Sequence, residues 1–225
     1  MISVVIPVYN EEQALPATLQ CLLAQSSTAE VILVDGGSTD LSLSVAAAYP
    51  EIRVLRANKG RAIQMNVGAR VAQGEWLLFL HADTLLPDNA LSDIEALDAS
   101  IEAGGFQHCF SGQDWRLRLI SWLDNLRSRC SSVIYGDQAF FIRHDRFLAL
   151  GGFPDQPILE DVALCVKLLP HARPHLMPTT VVTDGRKFLK LGVWRSLWRV
   201  IAIILSVELR RPVPHFAMEF FQDVR

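Results

Sequence analysis

The sequence has few cysteines and no pattern that would tie them into a metal site or a disulfide framework. Its 225 residues include four, Cys21, Cys109, Cys130 and Cys165, with no Cys-x-x-Cys pair and no histidine at zinc-site spacing. We therefore expect free thiols in a reducing, cytoplasmic compartment. The formal net charge of -3 predicts no general nucleic-acid binding. Half of the residues are hydrophobic, which excludes a disordered chain.

The sequence also lacks an apolar run of the ~20 residues needed to span a bilayer. The longest, at residues 197–209, is interrupted by Arg199. As a helix, this region carries a broad apolar face that includes Trp194 and Trp198, with Arg195 and Arg199 on a narrow stripe. Two interpretations stay open: the apolar face is buried against the core or a second subunit, or it contacts the inner face of a membrane peripherally.

What the sequence does contain is an alternation of strand-like and helix-like segments. Short β-rich runs, typical of strands covered on both faces, occur at residues 2–6, 31–34, 52–55 and 76–80. Segments with helical periodicity separate them, at residues 11–24, 39–49 and 61–73. The pattern predicts an α/β fold with an open, mostly parallel sheet and helices on both faces.

After Asp83 the alternation ends. The predicted helices are one after Pro87 and those at residues 113–131, 157–169 and 187–225, the last broken by Pro212 and Pro214. The predicted extended segments are residues 105–110, 138–142 and 179–182. We expect one compact domain over residues 1–190, with halves at 1–85 and 86–190, followed by an amphipathic helical appendage at 191–225.

Polar side chains follow each of the first four predicted strands. They are Tyr9, Asn10 and Glu11, then Asp35, then Lys59 and Arg61, then His81 and Asp83. Ligands of open parallel sheets bind at the carboxyl ends of the strands, so these residues predict one crevice. A carboxylate such as Asp35 accepts hydrogen bonds from a base or a ribose, Lys59 and Arg61 suit phosphate, and Asp83 suits Mg²⁺ or Mn²⁺. No G-x-G-x-x-G or Walker A motif is present, which argues against a dinucleotide or P-loop site.

These motifs resemble those of GT-A-fold glycosyltransferases of the family-2 type. The matching segments are VIPVYNE at 5–11, VDGGSTD at 34–40, NKGR at 58–61, NVGA at 66–69, LHAD at 80–83, GGF at 151–153 and LED at 159–161. The resemblance covers roughly residues 1–190. FLHADT at 79–84 and YGDQ at 135–138 resemble a bacterial subgroup of that family.

The resemblance implies inverting, metal-assisted transfer of a sugar from a nucleotide diphosphate, expected to be a UDP-sugar, to a hydroxyl acceptor. Pro7, Tyr9 and Glu11 would flank the nucleoside, and Asp35 would bind the base. The Asp-x-Asp motif of the family reads His81-Ala82-Asp83 here. Asp83, with His81 beside it, would hold Mg²⁺ or Mn²⁺ in this reading.

The same resemblance assigns the catalytic carboxylates. Asp161 would be the general base that inverting transfer needs, with Glu160 orienting it or the acceptor. The resemblance also implies that Asp137 and Gln138 would bind the donor sugar or the acceptor. Arg186 and Lys187 would bind the leaving diphosphate. The acceptor stays open, and a lipid-linked acceptor is one option because residues 104–150 are rich in arginine and aromatic residues.

Two alternatives to catalysis by sugar transfer remain at this point. A sugar-phosphate nucleotidyltransferase would share the sheet, but it requires a basic, glycine-rich loop after the first strand, where the acidic Val8-Tyr9-Asn10-Glu11 stands. A catalytically inactive protein that binds nucleotide sugars is the second alternative, prompted by His81 in place of an aspartate.

Overall fold

A computed structural model describes residues 1–156 and 158–208 of the chain. Its strands are β1 (Ile2–Val8), β2 (Ala29–Asp35), β3 (Arg53–Arg56), β4 (Trp76–Phe79), β5 (Thr84–Leu85), β6 (Ala103–Phe110), β7 (Phe141–Arg143) and β8 (His175–Thr183). Its helices are α1 (Leu15–Leu23), α2 (Ser42–Ala47), α3 (Arg61–Val71), α4 (Ala90–Glu95), α5 (Trp115–Ser131), α6 (His144–Ala149), α7 (Glu160–Leu168), α8 (Arg186–Leu191) and α9 (Val193–Glu208).

All eight strands belong to one curled sheet with the order β3-β2-β1-β4-β7-β6-β8-β5. The four strands of the first half run parallel, with Val8 of β1 opposite Asp35 of β2. Their carboxyl ends therefore lie at one edge of the sheet. β7 is antiparallel to both β4 and β6, so the second half of the sheet is mixed.

Both faces of the sheet are covered because β1 is apolar on its two sides. Val4 and Ile6 pack with Leu15 and Leu19 of α1 on one face. On the other face, Val5 packs with residues of α3, α6 and α7. Each buried strand residue of this kind contributes roughly 1.5–3 kcal/mol, which holds the strand ends in place beneath the polar loops. The predicted α/β class, a mostly parallel sheet with helices on both faces, is confirmed.

Several local predictions need correction. Residues 138–142 were expected to be extended, but Gln138 ends a 3₁₀ turn (Gly136–Gln138) and the strand begins at Phe141. The short elements β5 and α6 had no sequence prediction. The helix expected at residues 157–169 begins at Glu160, and Pro157 lies outside the described residues.

The C-terminal appendage is described only as far as Glu208. Val193 of α9 packs with Leu117 and Ile120 of α5, and Ile203 packs with Ile158 and Leu159. Residues 209–225, with the predicted break at Pro212 and Pro214, lie outside the described residues. No helix in the described part of the chain combines the length and the apolar character needed to cross a bilayer.

Candidate active site

The loops after β1 and β2 are bound to each other at the edge of the sheet. Gly36 N–H donates to the carbonyl of Val8 at 2.8 Å. Asn10, which adopts a left-handed conformation with φ 55°, accepts from Thr39 N–H at 2.8 Å through Oδ1. Its own N–H donates to Ser38 Oγ at 3.0 Å. These three hydrogen bonds keep the two loops in register before any ligand arrives.

Asp35 ends β2 and is almost completely buried. Its carboxylate accepts from the backbone N–H groups of Gly37 and Ser38, each at 3.0 Å. These bonds fix the direction of the carboxylate. Since a carboxylate offers about four acceptor positions, acceptor capacity for a base or ribose donor is left after the turn is formed.

Tyr9 and Lys59 come together from separate loops. Lys59 Nζ lies 3.9 Å from the centre of the Tyr9 ring, a cation–π contact. Tyr9 is half-buried and Lys59 is exposed, so the pair forms part of the accessible rim. Pro7, in contrast, lies within β1 and is buried, so it supports the loop and offers no open surface to a nucleoside. Glu11 is half-buried just after β1.

Gln64 of α3 binds the ends of β1 and β2 through its side-chain amide, a role for which the sequence offered no signal. Its Nε2 donates to the carbonyls of Val8 and Val34, both at 2.8 Å. A Cβ at Gly36 would lie 3.0 Å from this amide, so glycine allows the close approach. One buried amide therefore ties the ends of β1 and β2 to α3.

Arg61 and Glu160 form a buried ion pair between α3 and α7. Arg61 Nε lies 2.6 Å from Glu160 Oε1, and the Glu160 side chain is 2% exposed. Burial acts to lower the pKa of Arg61, but the carboxylates of Glu160 and Asp161 outweigh it and raise that pKa above its ordinary value. The guanidinium expected at a phosphate instead faces the carboxylates at the start of α7.

Asp161 follows Glu160 in the first turn of α7 and is also buried. Its Oδ2 accepts from Gly136 N–H at 2.5 Å, and its Oδ1 accepts from Val162 N–H at 2.7 Å. Burial, followed by the charge of Glu160, raises the pKa of Asp161 to about 6, although Arg61 and the two backbone bonds act to lower it. A carboxylate with such a pKa is suited to accept a proton near neutral pH.

His81, at the end of β4, faces the same point as Asp161. A Cβ built on Gly136 would lie 2.8 Å from His81 Nε2 and 3.2 Å from Asp161 Oδ2. The glycine of the 3₁₀ turn therefore lies against both side chains. The turn precedes β7, which pairs with β4 and so brings Gly136 to His81. The hydrogen bond from Gly136 N–H to Asp161 brings α7 to the same point.

Asp83 lines an open cleft of about 240 Å³ with Gln13, Ser111, Asp184 and Arg186 among its walls. Asp184 N–H donates to the carbonyl of Asp83 at 3.2 Å, and Arg186 Nη1 donates to Gln13 Oε1 at 2.7 Å. Arg186 also forms an ion pair with Asp184. The carboxylate of Asp83 is a ligand of the type that Mg²⁺ and Mn²⁺ prefer, whereas Arg186 already pairs with oxygens of Asp184 and Gln13.

Gln138 is placed differently from the prediction. Its Oε1 accepts from Ser128 Oγ at 2.8 Å and from Tyr135 N–H at 3.1 Å, and its Nε2 donates to the carbonyl of Phe106 at 3.1 Å. The side chain is fully buried, so it stabilises the turn and does not face a sugar. The side chain of Lys187 lies outside the described residues.

A second cluster of titratable groups lies behind the turn. His108 of β6 is 1% exposed, with Nδ1 3.9 Å from Asp124 and Nε2 3.9 Å from Asp137. Within residues 1–156 and 158–208, these three are the one group of at least three His, Cys, Asp or Glu side chains whose ligand atoms all lie within 4.8 Å of one another. The arrangement is therefore compatible with a single metal ion. Burial raises the pKa of Asp137, with His108 opposing the shift.

Sequence reasoning missed His108 because it is a single histidine in an otherwise apolar strand. A pattern of that kind identifies a buried strand, not a site. Asp137 was singled out through the YGDQ motif, and the structure adds the histidine that faces it.

A sheet of this topology, with polar loops at the carboxyl ends of its parallel strands and an acidic pair opposite them, defines a GT-A, Rossmann-like protein. The family model of glycosyl transferase family 2 matches residues 3–149. The chain belongs to that family.

Comparison with known proteins supports this assignment. An uncharacterized glycosyltransferase of Haemophilus influenzae is 41% identical over 183 residues, covering 75% of this chain and 62% of the relative. The chain thus spans less than two thirds of that relative's length. Among solved structures, the mannosyltransferase PcManGT of Pyrobaculum calidifontis, in complex with GDP-Man and Mn²⁺, superposes with a TM-score of 0.68 at 19% identity, covering 99% of this chain and 70% of PcManGT.

Residues 1–349 of S. aureus TarS, in complex with UDP-GlcNAc, superpose with a TM-score of 0.65 at 20% identity. The match covers 81% of this chain and 58% of the TarS chain. At such identities the two structures establish the fold alone.

Proposed function

We propose that this protein is an inverting glycosyltransferase that moves a sugar from a nucleotide diphosphate to a hydroxyl acceptor. The observation that carries the proposal is the meeting of His81 and Asp161 at Gly136. It sets the donor-side motif beside a buried carboxylate whose pKa is raised to about 6. The membership in glycosyl transferase family 2 supports the same reaction class.

In this reaction the acceptor hydroxyl attacks the anomeric carbon of the donor sugar. A new C–O bond forms to the acceptor while the bond between the anomeric carbon and the diphosphate oxygen breaks. The bonding electron pair leaves with the nucleoside diphosphate, and the acceptor proton goes to the carboxylate of Asp161. The charge of Glu160 raises the pKa of Asp161 and that of Arg61 lowers it, so this ion pair sets the pH at which Asp161 can accept the proton.

The donor side is assigned to Tyr9, Lys59 and Asp35, with Glu11 beside them. The stacked pair of Tyr9 and Lys59 provides an aromatic surface and a cation for a base and a phosphate. We take the base to be uracil, as the resemblance in the motifs implies; the solved relatives bind UDP-GlcNAc or GDP-Man, so these proteins themselves use more than one base.

The diphosphate would lie toward the cleft that Asp83 and Arg186 line. Asp83 would be a ligand of Mg²⁺ or Mn²⁺ there, and His81 is the second ligand that the motif implies. When bound, such an ion neutralises the negative charge that develops on the leaving diphosphate. Arg186 adds a fixed positive charge at the same end of the cleft.

Two single variants test the donor site. Asp35→Ala and Asp83→Ala should each weaken the binding of UDP in the presence of Mn²⁺ by about tenfold or more, measured by titration calorimetry. Asp155→Ala, an exposed carboxylate, is the matched control and should leave binding unchanged. Tight UDP binding that survives both changes would place the donor elsewhere.

Asp161→Asn tests the general base separately. The variant should bind UDP as the unmodified chain does, and lose donor hydrolysis and transfer by about a hundredfold or more. Because Asn keeps the shape of the side chain, retained binding distinguishes a chemical role from a structural one. Loss of binding together with turnover would refute the assignment of Asp161 as base.

A further inference from the structure

Helix α5 has an apolar outer face. Its exposed apolar side chains, each between 37% and 63% accessible, are Trp115, Leu119, Trp122, Leu123 and Leu126. The spacings of four, three and four residues place 115, 119, 122 and 126 along one side of the helix. The opposite side, which carries Leu117 and Ile120, is buried. A helix that is apolar on both sides buries one side in the protein and leaves the other for a partner.

Helix α9 continues this surface. Trp194, Trp198 and Ile201 are exposed, Trp198 to 72%. The ring of Trp194 lies 6.1 Å from that of Trp115 in an edge contact, which joins the two helices at their N-terminal ends. Four of the five tryptophans of the chain belong to this surface, which we call the aromatic face; it comprises the exposed apolar residues of α5 and α9.

Positive charge borders the aromatic face. Arg118 and Arg129 of α5, Lys190 of α8 and Arg195 of α9 are exposed beside it. The two carboxylates nearest along α5 are neutralised in place, since Asp114 pairs with Arg116 and Asp124 pairs with Arg127. The local charge is therefore positive although the chain carries a formal net charge of -3.

We propose that the aromatic face binds the anionic surface of a lipid bilayer. Tryptophan favours the boundary between headgroups and hydrocarbon, where its ring is apolar and its N–H remains hydrated. Leucine side chains insert into the same layer, and arginine and lysine at the border attract acidic headgroups. The helices lie on the membrane and do not cross it.

Charge favours a bilayer over a second copy of the chain as the occupant. In a two-fold dimer the same surface meets itself, so the bordering cations of one copy would face those of the other. Like charges brought together in this way oppose association, whereas acidic headgroups complement them. The aromatic face thus matches an anionic bilayer in both shape and charge.

The location of this face bears on the acceptor, an extension that rests on the proposed function. The cleft residue Ser111 precedes α5 by four positions, and Arg186 begins α8, which leads directly into α9. A Cβ at Gly185, between the cleft and α8, would lie 2.8 Å from Leu117 of α5. Membrane binding would therefore bring the cleft close to an acceptor hydroxyl held at headgroup level.

Vesicle flotation of the full chain tests the proposal. Vesicles of phosphatidylcholine with one third phosphatidylglycerol should carry the protein, and vesicles of phosphatidylcholine alone should carry much less. Trp122→Ser combined with Trp198→Ser should reduce binding to the anionic vesicles by about tenfold or more. Leu148→Ser, which removes a side chain that is 58% exposed on α6, is the matched control and should bind as before.

The outcomes separate this proposal from the proposed function. Failure of the full chain to bind anionic vesicles overturns it, as does an equal loss in the Leu148 control. A dimer in sedimentation equilibrium that the double tryptophan variant dissociates also overturns it, in favour of a second copy. UDP titration of the same double variant should be unchanged, and Asp83→Ala should still bind vesicles. If the UDP experiments refute the proposed donor site, the vesicle experiment therefore still tests membrane binding.

Discussion

The buried carboxylate of Asp161 makes the stability of the fold depend on pH in a way that Asp161→Asn should reveal. An ordinary aspartate has a pKa of about 4. Burial beside Glu160 raises the pKa of Asp161 to about 6. A raised carboxyl pKa in the folded state means that the folded chain binds a proton more tightly than the unfolded chain, so ionisation of this group destabilises the fold.

The shift of about two pH units corresponds to about 3 kcal/mol, at 1.36 kcal/mol for each unit. The contribution of protonated Asp161 to stability is fully present below pH 4 and is lost as the pH rises through 6. The asparagine variant stays neutral throughout. Between pH 4 and 8, the free energy of unfolding of the unmodified chain should therefore fall by about 3 kcal/mol relative to that of the variant.

Urea unfolding at several pH values from 4 to 8 measures this difference directly. Comparing how the difference changes with pH removes the fixed cost of replacing one acceptor oxygen by an amide NH₂. Asp155→Asn, at an exposed carboxylate, is the control and should show a much smaller change. A difference for Asp161→Asn that stays constant within about 0.5 kcal/mol across the range would refute the burial argument.

Three further changes probe Arg61, Gly136 and Gln64. Arg61→Met removes a positive charge that lowers the pKa of Asp161, so the acid limb of the pH–rate profile should move above pH 6. Gly136→Ala inserts a methyl between His81 and Asp161 and should lower kcat in steady-state assays by about tenfold or more, with UDP affinity in calorimetry largely retained. Gln64→Ala leaves the carbonyls it holds unpaired and should lower the free energy of unfolding by about 1–3 kcal/mol, measured in urea.

The Arg61 and Gln64 variants each have a control on the surface. Arg70→Met, on the same helix as Arg61 and exposed, should leave the pH–rate profile in place. Gln20→Ala, exposed on α1, should change stability by less than about 0.5 kcal/mol. An acid limb that stays in place in Arg61→Met would show that Arg61 acts on Glu160 alone.

The parallel half of the fold could be predicted because its strands are buried on both faces. β1 and β4 appear in the sequence as apolar runs, broken only by Ser3 in β1, and runs of that kind with helical segments on either side admit few folds. The prediction was weaker for β3, which is an exposed edge strand and begins one residue later than expected. Edge strands bury less apolar surface, so the hydrophobic pattern in the sequence marks their first and last residues less clearly.

The YGDQ segment shows why local pattern failed in the second half. The apolar residues after Gln138 suggested a strand that starts at the glutamine. In the structure the Gln138 amide instead accepts from Tyr135 N–H and closes a 3₁₀ turn. Burial of that amide against Ser128 and Phe106, far away in the chain, decides the conformation. A single sequence carries no signal for such long-range partners.

The candidate site divides in the same way. Residue types at the strand ends predicted Asp35 and Asp83 as chemical groups, because few other positions combine a carboxylate with the end of an apolar run. Asp161 was predicted from the resemblance of the LED segment to the family motif. Their partners had no such pattern: Arg61 was expected at a phosphate, and it binds Glu160 from a position 99 residues away.

The sequence by itself determined the α/β class, the order of the parallel strands' loops and the kinds of groups those loops carry, because hydrophobic periodicity and residue chemistry are local properties. Only the tertiary structure decided which of these groups meet. The antiparallel pairing of β4 with β7 brings Gly136 to His81, and the hydrogen bond of Gly136 N–H to Asp161 brings α7 to the same point. The contact of α5 with α9 gathers four tryptophans on one surface. Contacts of this range depend on how the whole chain buries its apolar area, which no short segment encodes.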